Sequence, residues 1–205
     1  MEKRNTLLLT VIAIATLLVA VVGATFAYFA TSNTTTSNTS VTATLAENDA
    51  AFTSSGTALA VNVPTNNMIQ GLGSAAGTLA GEDSGTITAT LKGPGTGSVT
   101  CHYDIVVAEK AGEDPAYVLT TGVDKEFTLT ASKHAGSTAT QADLSETQIS
   151  SLGTIVSRET ITAANGAEVN QVWDLTAKFY NSDKDQSAHA GNTYVYYVSI
   201  ANVEC

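Results

Sequence analysis

Cys101 and Cys205 are the only cysteines in the chain. In an oxidising compartment such a pair can close a disulfide. Cys101 lies inside an alternating apolar segment and Cys205 ends the last one, so adjacent strands would present the two thiols to each other within one molecule. The alternatives are two separate thiols, or an exposed Cys205 that joins two subunits. Asn181, Asp183 and Asp185 stand at alternate positions, as oxygen ligands do in a calcium loop. The rest of that pattern is missing: Gln186 replaces the required Gly, and Asn192 stands where a bidentate Glu belongs. An acidic loop in solvent is the competing reading. His102, His134 and His189 fall in separate segments, and there is no His-Glu-x-x-His. No Gly-x-Ser-x-Gly elbow occurs, and the glycine-rich run Gly71 to Gly77 is not followed by the Lys of a phosphate loop. Trp173, Phe179, Tyr180, Tyr194, Tyr196 and Tyr197 could form a sugar-stacking platform, but strand alternation turns about half of them into the core. The chain is read as a non-enzyme that needs no cofactor.

The elements that would position these residues begin with the N-terminus. Glu2, Lys3 and Arg4 precede an uncharged stretch from Thr6 to Ala30. A basic start, an apolar centre and small residues beyond it make a secretory signal. The same stretch is also long enough to span a bilayer as a retained anchor. Cleavage is expected after Ala27, with Thr25 two positions before it, or after Ala30. The expected compartment is therefore extracellular or cell-surface. Among 205 residues, 9 Lys and Arg face 19 Asp and Glu, a formal net charge of -10. That balance argues against nucleic acid, whose phosphates need a basic face. Membrane contact is expected only through the leader.

The run KRNTLLLTVIAIATLLVAVVGATFAYFATSNTTTSNTSVTATLA, from Lys3 to Ala46, resembles the leaders of the TasA/camelysin family. Those are secreted proteins of Gram-positive bacteria, cut by the dedicated signal peptidase SipW. The family pattern of a basic start, an apolar run and then Gly-x-Thr-aromatic-Ala-x-Phe is met by Gly23, Thr25, Phe26, Ala27 and Phe29. The resemblance implies an extracellular jelly-roll domain that polymerises into biofilm matrix fibres, with signal peptidase and further copies of the chain as its partners.

The remainder reads as strands. Thr57–Val63, Thr86–Lys92, Ser98–Ala108, Ala116–Leu119, Glu126–Ala131, Thr154–Thr162, Glu168–Tyr180 and Thr193–Cys205 alternate or are rich in β-formers. Asn165-Gly166 is the strongest hairpin dipeptide, with Glu168–Tyr180 as the returning partner. Asn66–Gly81 reads as a short helix or an ordered loop. Asp143–Leu152 carries a helical signal, with Ser145 three before Gln148. Little helix and many closely spaced strands predict an all-β, antiparallel, jelly-roll-like sandwich. The expected organisation is a leader at 1–30, a Thr/Asn/Ser-rich linker or donor strand at 31–40, and a sandwich at 41–205. Thr31 to Leu45 is uncharged and extended by propensity, with Val41, Ala43 and Leu45 on one face. This segment is the expected polymerising strand, donated head to tail into the next subunit. The competing reading is a flexible linker followed by a strand that pairs within its own domain.

Overall fold

The computed structural model describes residues 42–44, 50–65, 76–110 and 116–205. They form ten strands: β1 (Thr42–Thr44), β2 (Ala51–Ser55), β3 (Thr57–Asn62), β4 (Leu79–Lys92), β5 (Ser98–Glu109), β6 (Phe127–Lys133), β7 (Leu144–Gln148), β8 (Thr154–Ala164), β9 (Glu168–Tyr180) and β10 (Thr193–Glu204). Two sheets result, six-stranded in the order β1-β2-β4-β9-β6-β7 and four-stranded in the order β3-β10-β5-β8. Every pairing is antiparallel. The two sheets pack into an all-β sandwich.

Period-two alternation decides which side chains meet between the sheets. In β9, Gln171, Trp173, Leu175, Ala177 and Phe179 are buried, and the residues between them are half-exposed. Cys101, Tyr103, Ile105 and Val107 of β5 oppose them from the other sheet, with Tyr194, Tyr196, Val198 and Ile200 of β10 alongside. Trp173 and Tyr103 meet in the middle, where the indole Nε1 donates to the Tyr103 hydroxyl at 3.2 Å. That hydroxyl donates in turn to Gln171 Oε1 at 2.8 Å. One end of the sandwich is aromatic, with Tyr117, Phe127, Phe179, Tyr194 and Tyr196 in mostly edge-on contact.

Three sequence expectations are corrected. Asn165 and Gly166 do form a turn, both at positive φ, but β8 and β9 do not pair with each other. The turn carries the chain from one sheet to the other, so the two strands face across the core instead of sharing a ladder. It packs on the Gly93–Gly97 turn between β4 and β5, which makes the same crossing: Asn165 N donates to Gly97 O and Gly93 N to Ala167 O. Asp143–Leu152 is not a helix. Its core is β7, which adds to the edge of β6, and a single 3-10 turn follows at Ile149–Ser151. A helix that short is marginal in water, whereas an open sheet edge offers immediate backbone partners. Ala116–Leu119 is not a strand either; it is drawn over the aromatic end by hydrogen bonds described below.

Two strands exceed or escape the expectation. β2 has no counterpart among the predicted strands. β4 starts seven residues earlier than Thr86, through Gly81-Glu82-Asp83-Ser84-Gly85, because β9 supplies a ladder down to Leu79↔Tyr180, with one register shift between Leu79 and Gly81. Gly81 is needed there: an added Cβ would collide with the Asn62 carbonyl of β3. Of the segment Asn66–Gly81, residues 66–75 lie outside the described region.

Candidate functional site

The densest polar chemistry in the sandwich surrounds two fully buried carboxylates, Glu126 and Glu159. Neither was singled out in the sequence. Glu126 immediately precedes β6 at the aromatic end. Its Oε1 accepts the Thr120 hydroxyl at 2.6 Å and the Gln186 side-chain amide, also at 2.6 Å. Its Oε2 accepts the Thr120 backbone N–H and the Tyr117 hydroxyl, each at 3.0 Å. His189 Nε2 lies 3.1 Å from Thr120 Oγ1 and 3.5 Å from Glu126 Oε2, and His189 Nδ1 lies 2.7 Å from the Tyr194 hydroxyl. Burial lowers the His189 pKa, against the opposing pull of the Glu126 charge, which keeps the ring neutral at neutral pH. Burial likewise raises the Tyr117 and Tyr196 hydroxyls.

Gln186 is fully buried although it sits in the polar loop between β9 and β10. Its Oε1 accepts the Ser182 N–H at 2.7 Å, and its Nε2 also donates to the Tyr180 carbonyl at 3.0 Å. A cleft of about 570 Å³ opens beside this cluster, lined in part by Val118, Leu119, Thr120, Lys184, Ala188 and His189. A hydroxyl, an imidazole and a carboxylate therefore meet, but not as a hydrolytic triad. In a triad the carboxylate orients the imidazole nitrogen remote from the hydroxyl. Here Glu126 shares the Nε2 side with Thr120, and the remote nitrogen faces Tyr194.

Glu159, in β8, organises the second cluster. It accepts the backbone N–H groups of Thr140 and Gln141 at 2.9 and 2.7 Å and the Thr140 hydroxyl at 3.0 Å. It thereby ties the connection between β6 and β7 to the opposite sheet. Glu126 and Glu159 left little trace in the sequence, since charged residues are almost never fully buried unless paired. The one cue at Glu126 is its place directly before the apolar Phe127.

The residues expected to do chemistry fall as follows. Cys101 and Cys205 are bonded, S–S 2.04 Å and Cα–Cα 4.1 Å, across the neighbouring strands β5 and β10. The intramolecular alternative holds. Asn181, Asp183 and Asp185 are engaged separately. Asn181 is buried, its N–H donating to Thr78 O; Asp183 is exposed beside Lys184; Asp185 accepts the Ser187 N–H at 2.9 Å, and its bonds to Ser187 lower its pKa. Gln186 of the same loop turns inward, with its side chain bonded to Ser182 N, Tyr180 O and Glu126. Among the described residues no three His, Cys, Asp or Glu side chains gather as a metal site. Trp173, Phe179, Tyr194 and Tyr196 are core, while Tyr180 and Tyr197 are half-exposed, so the six do not make one platform. Ala43 lies in β1, opposite Phe52 of its own chain. Val41, Leu45, Ala27 and Ala30 lie outside the described residues.

No protein-family model, curated protein or solved structure matches this chain.

Proposed function

We propose that the protein is a secreted, non-enzymatic structural subunit of an extracellular fibre, assembled by exchange of its N-terminal strand. The observation that carries this reading is the position of β1. Among the described residues it is the outermost strand of the six-stranded sheet, spans Thr42–Thr44, and pairs with β2 alone through Thr42↔Thr53, Ala43↔Phe52 and Thr44↔Ala51. It follows directly on the uncharged, threonine-rich segment 31–40. In the single chain, residues 42–44 are thus engaged within their own domain. Donation to a neighbour means that β1 exchanges this short ladder for one on the next subunit. Three residues of edge pairing are a small loss against a longer intermolecular strand, and backbone hydrogen bonds at a sheet edge form with most side chains, proline excepted. Head-to-tail exchange is heterologous and need not close, so it builds filaments.

The strand order supports a jelly-roll-type reading, with β3-β10-β5-β8 as one sheet and β2-β4-β9 as the body of the other. The resemblance of the leader to the TasA/camelysin leaders points the same way. Signal removal would release the segment for exchange. A membrane-anchored surface domain is the second reading, favoured by the uncharged length of Thr6–Ala30. The mass of the protein recovered from culture separates the two: loss of the leader fits secretion, an intact N-terminus in the membrane fits the anchor. Exchange itself is tested by deleting Thr31–Ser40 or placing Pro at Ala43, with electron microscopy as the readout. Fibres forming at the wild-type rate in both variants would sink it.

A further inference from the structure

We propose that Thr120 and Gln186 react with each other inside the folded domain to form an intramolecular side-chain ester, releasing ammonia. The inference rests on the arrangement at Glu126 and is independent of fibre formation.

The Thr120 hydroxyl and the Gln186 amide nitrogen are each 2.6 Å from one oxygen, Glu126 Oε1. Nucleophile and leaving group therefore flank a single carboxylate oxygen that can take a proton from the first and hand it to the second. Thr120 Oγ1 attacks Gln186 Cδ as its proton passes to Glu126 Oε1. The electron pair of the carbonyl moves onto Gln186 Oε1, which faces the Ser182 N–H at 2.7 Å. That donor does for the tetrahedral oxyanion what the backbone groups of an acyl-transfer enzyme do. The carbonyl re-forms, the Cδ–Nε2 bond breaks, and Nε2 leaves as ammonia carrying the proton held by Glu126. One O–H and one C–N bond are lost, one C–O and one N–H bond are gained, and nothing is oxidised or reduced. The carboxylate ends as it began.

The surroundings favour the step. His189 Nε2, 3.1 Å from Thr120 Oγ1, fixes the hydroxyl from its other side. Its neutral ring does not compete with Glu126 for the negative charge of the attack. Glu126 and Gln186 are fully buried, which shields the ester, once formed, from hydrolysis by bulk water. Holding the two groups together removes the entropic cost of bringing them into contact. Ammonia, once formed, has an exit through the adjoining cleft, whose walls include Thr120 and His189. Its protonation in bulk solvent draws the exchange forward.

The molecule carries its own control. At Glu159 the same trio recurs more loosely: the Thr140 hydroxyl is 3.0 Å and the Gln171 amide 3.5 Å from Glu159 Oε1. The Gln171 carbonyl oxygen faces the Tyr103 hydroxyl, not a backbone N–H. With longer approaches to the carboxylate, this pair is expected to stay unlinked.

The test is peptide mapping of the purified wild-type protein after reduction and trypsin digestion. Thr120 falls in the peptide 111–125 and Gln186 in 185–205. The expected result is a joined species of these two peptides, lighter than their sum by one ammonia and split by hydroxylamine. It should be absent from Thr120→Val and retained in Thr140→Val. Recovery of both peptides separate and at full mass from the wild type overturns the proposal. So does an ammonia loss found in place of that joined species in 159–178, which would report cyclisation at Asn165-Gly166, or in a link between Thr140 and Gln171. Because the wild type decides the question, a Thr120→Val protein that fails to fold does not obscure it.

Discussion

Glu159 and Glu204 differ in what their hydrogen bonds are worth. Glu204 pairs with Arg158 at 2.9 Å, but both side chains are more than 60% exposed, 66% and 62%. Such a pair is worth at most about 1 kcal/mol. Glu159 is fully buried and satisfies the backbone N–H groups of Thr140 and Gln141. Removing it takes the partner from two part-buried backbone donors and from the Thr140 hydroxyl, at about 1–3 kcal/mol for each group that is left unpaired. Glu159→Ala is therefore expected to lower the denaturation midpoint several times more than Glu204→Ala; equal shifts would refute the strap. His189 gives a second test at this scale. Burial lowers its pKa below the ordinary 6.5. As pH falls, the unfolded chain binds the proton first, so the stability His189 contributes is complete above 6.5 and is lost on acidification. His189→Gln removes this titration, and its stability should fall less than the wild type's between neutral and mildly acidic buffer. An equal fall in both proteins would place the acid sensitivity elsewhere.

At the scale of elements, β5, β9 and β10 were legible because each alternates apolar and polar residues over most of its length. The disulfide followed from them: once β10 lies beside β5, Cys205 meets Cys101. What local patterning cannot encode is which strand a given strand faces. The Asn165-Gly166 turn was visible, yet its role as a crossing between sheets depends on β4 and β5 having claimed β9 and β8 as partners. The first half of β4 is invisible for the same reason, since its glycines and acids form a strand only against β9. Glu126 and Gln186 escaped because their burial is created by segments distant in sequence. The disulfide also yields a number. It closes a separation of 104 residues, for which chain entropy assigns about 4.7 kcal/mol as an upper figure. Reduction should lower the unfolding free energy by a large part of that, measured by denaturant titration with and without reductant. No shift on reduction would mean that the bond does not constrain the unfolded chain.

For the whole molecule, charge and assembly are in tension. The chain carries a formal net charge of -10, and its N-terminal stretch from Asn5 to Ala46 contributes none of it. Subunits that exchange this stretch must bring their acidic bodies close together, and like-charge repulsion opposes that approach. The element that makes the proposed contact is neutral, so added salt weakens the opposition without weakening the strand pairing. Screening is strong on the scale of a subunit contact, with a Debye length of about 10 Å at 0.1 M salt and about 3 Å at 1 M. Fibre growth of the mature protein is therefore expected to accelerate as sodium chloride is raised across this range. Light scattering follows the rate, and electron microscopy distinguishes fibres from amorphous precipitate. The variant lacking Thr31–Ser40 should show no such acceleration, because its bodies are screened equally but it lacks the exchanged segment. If the wild type slows with salt, the assembling contact is itself electrostatic and a charged face of the sandwich, not the neutral strand, joins the subunits. If both proteins accelerate alike into fibres, assembly proceeds without segment 31–40 and the exchange mechanism is wrong.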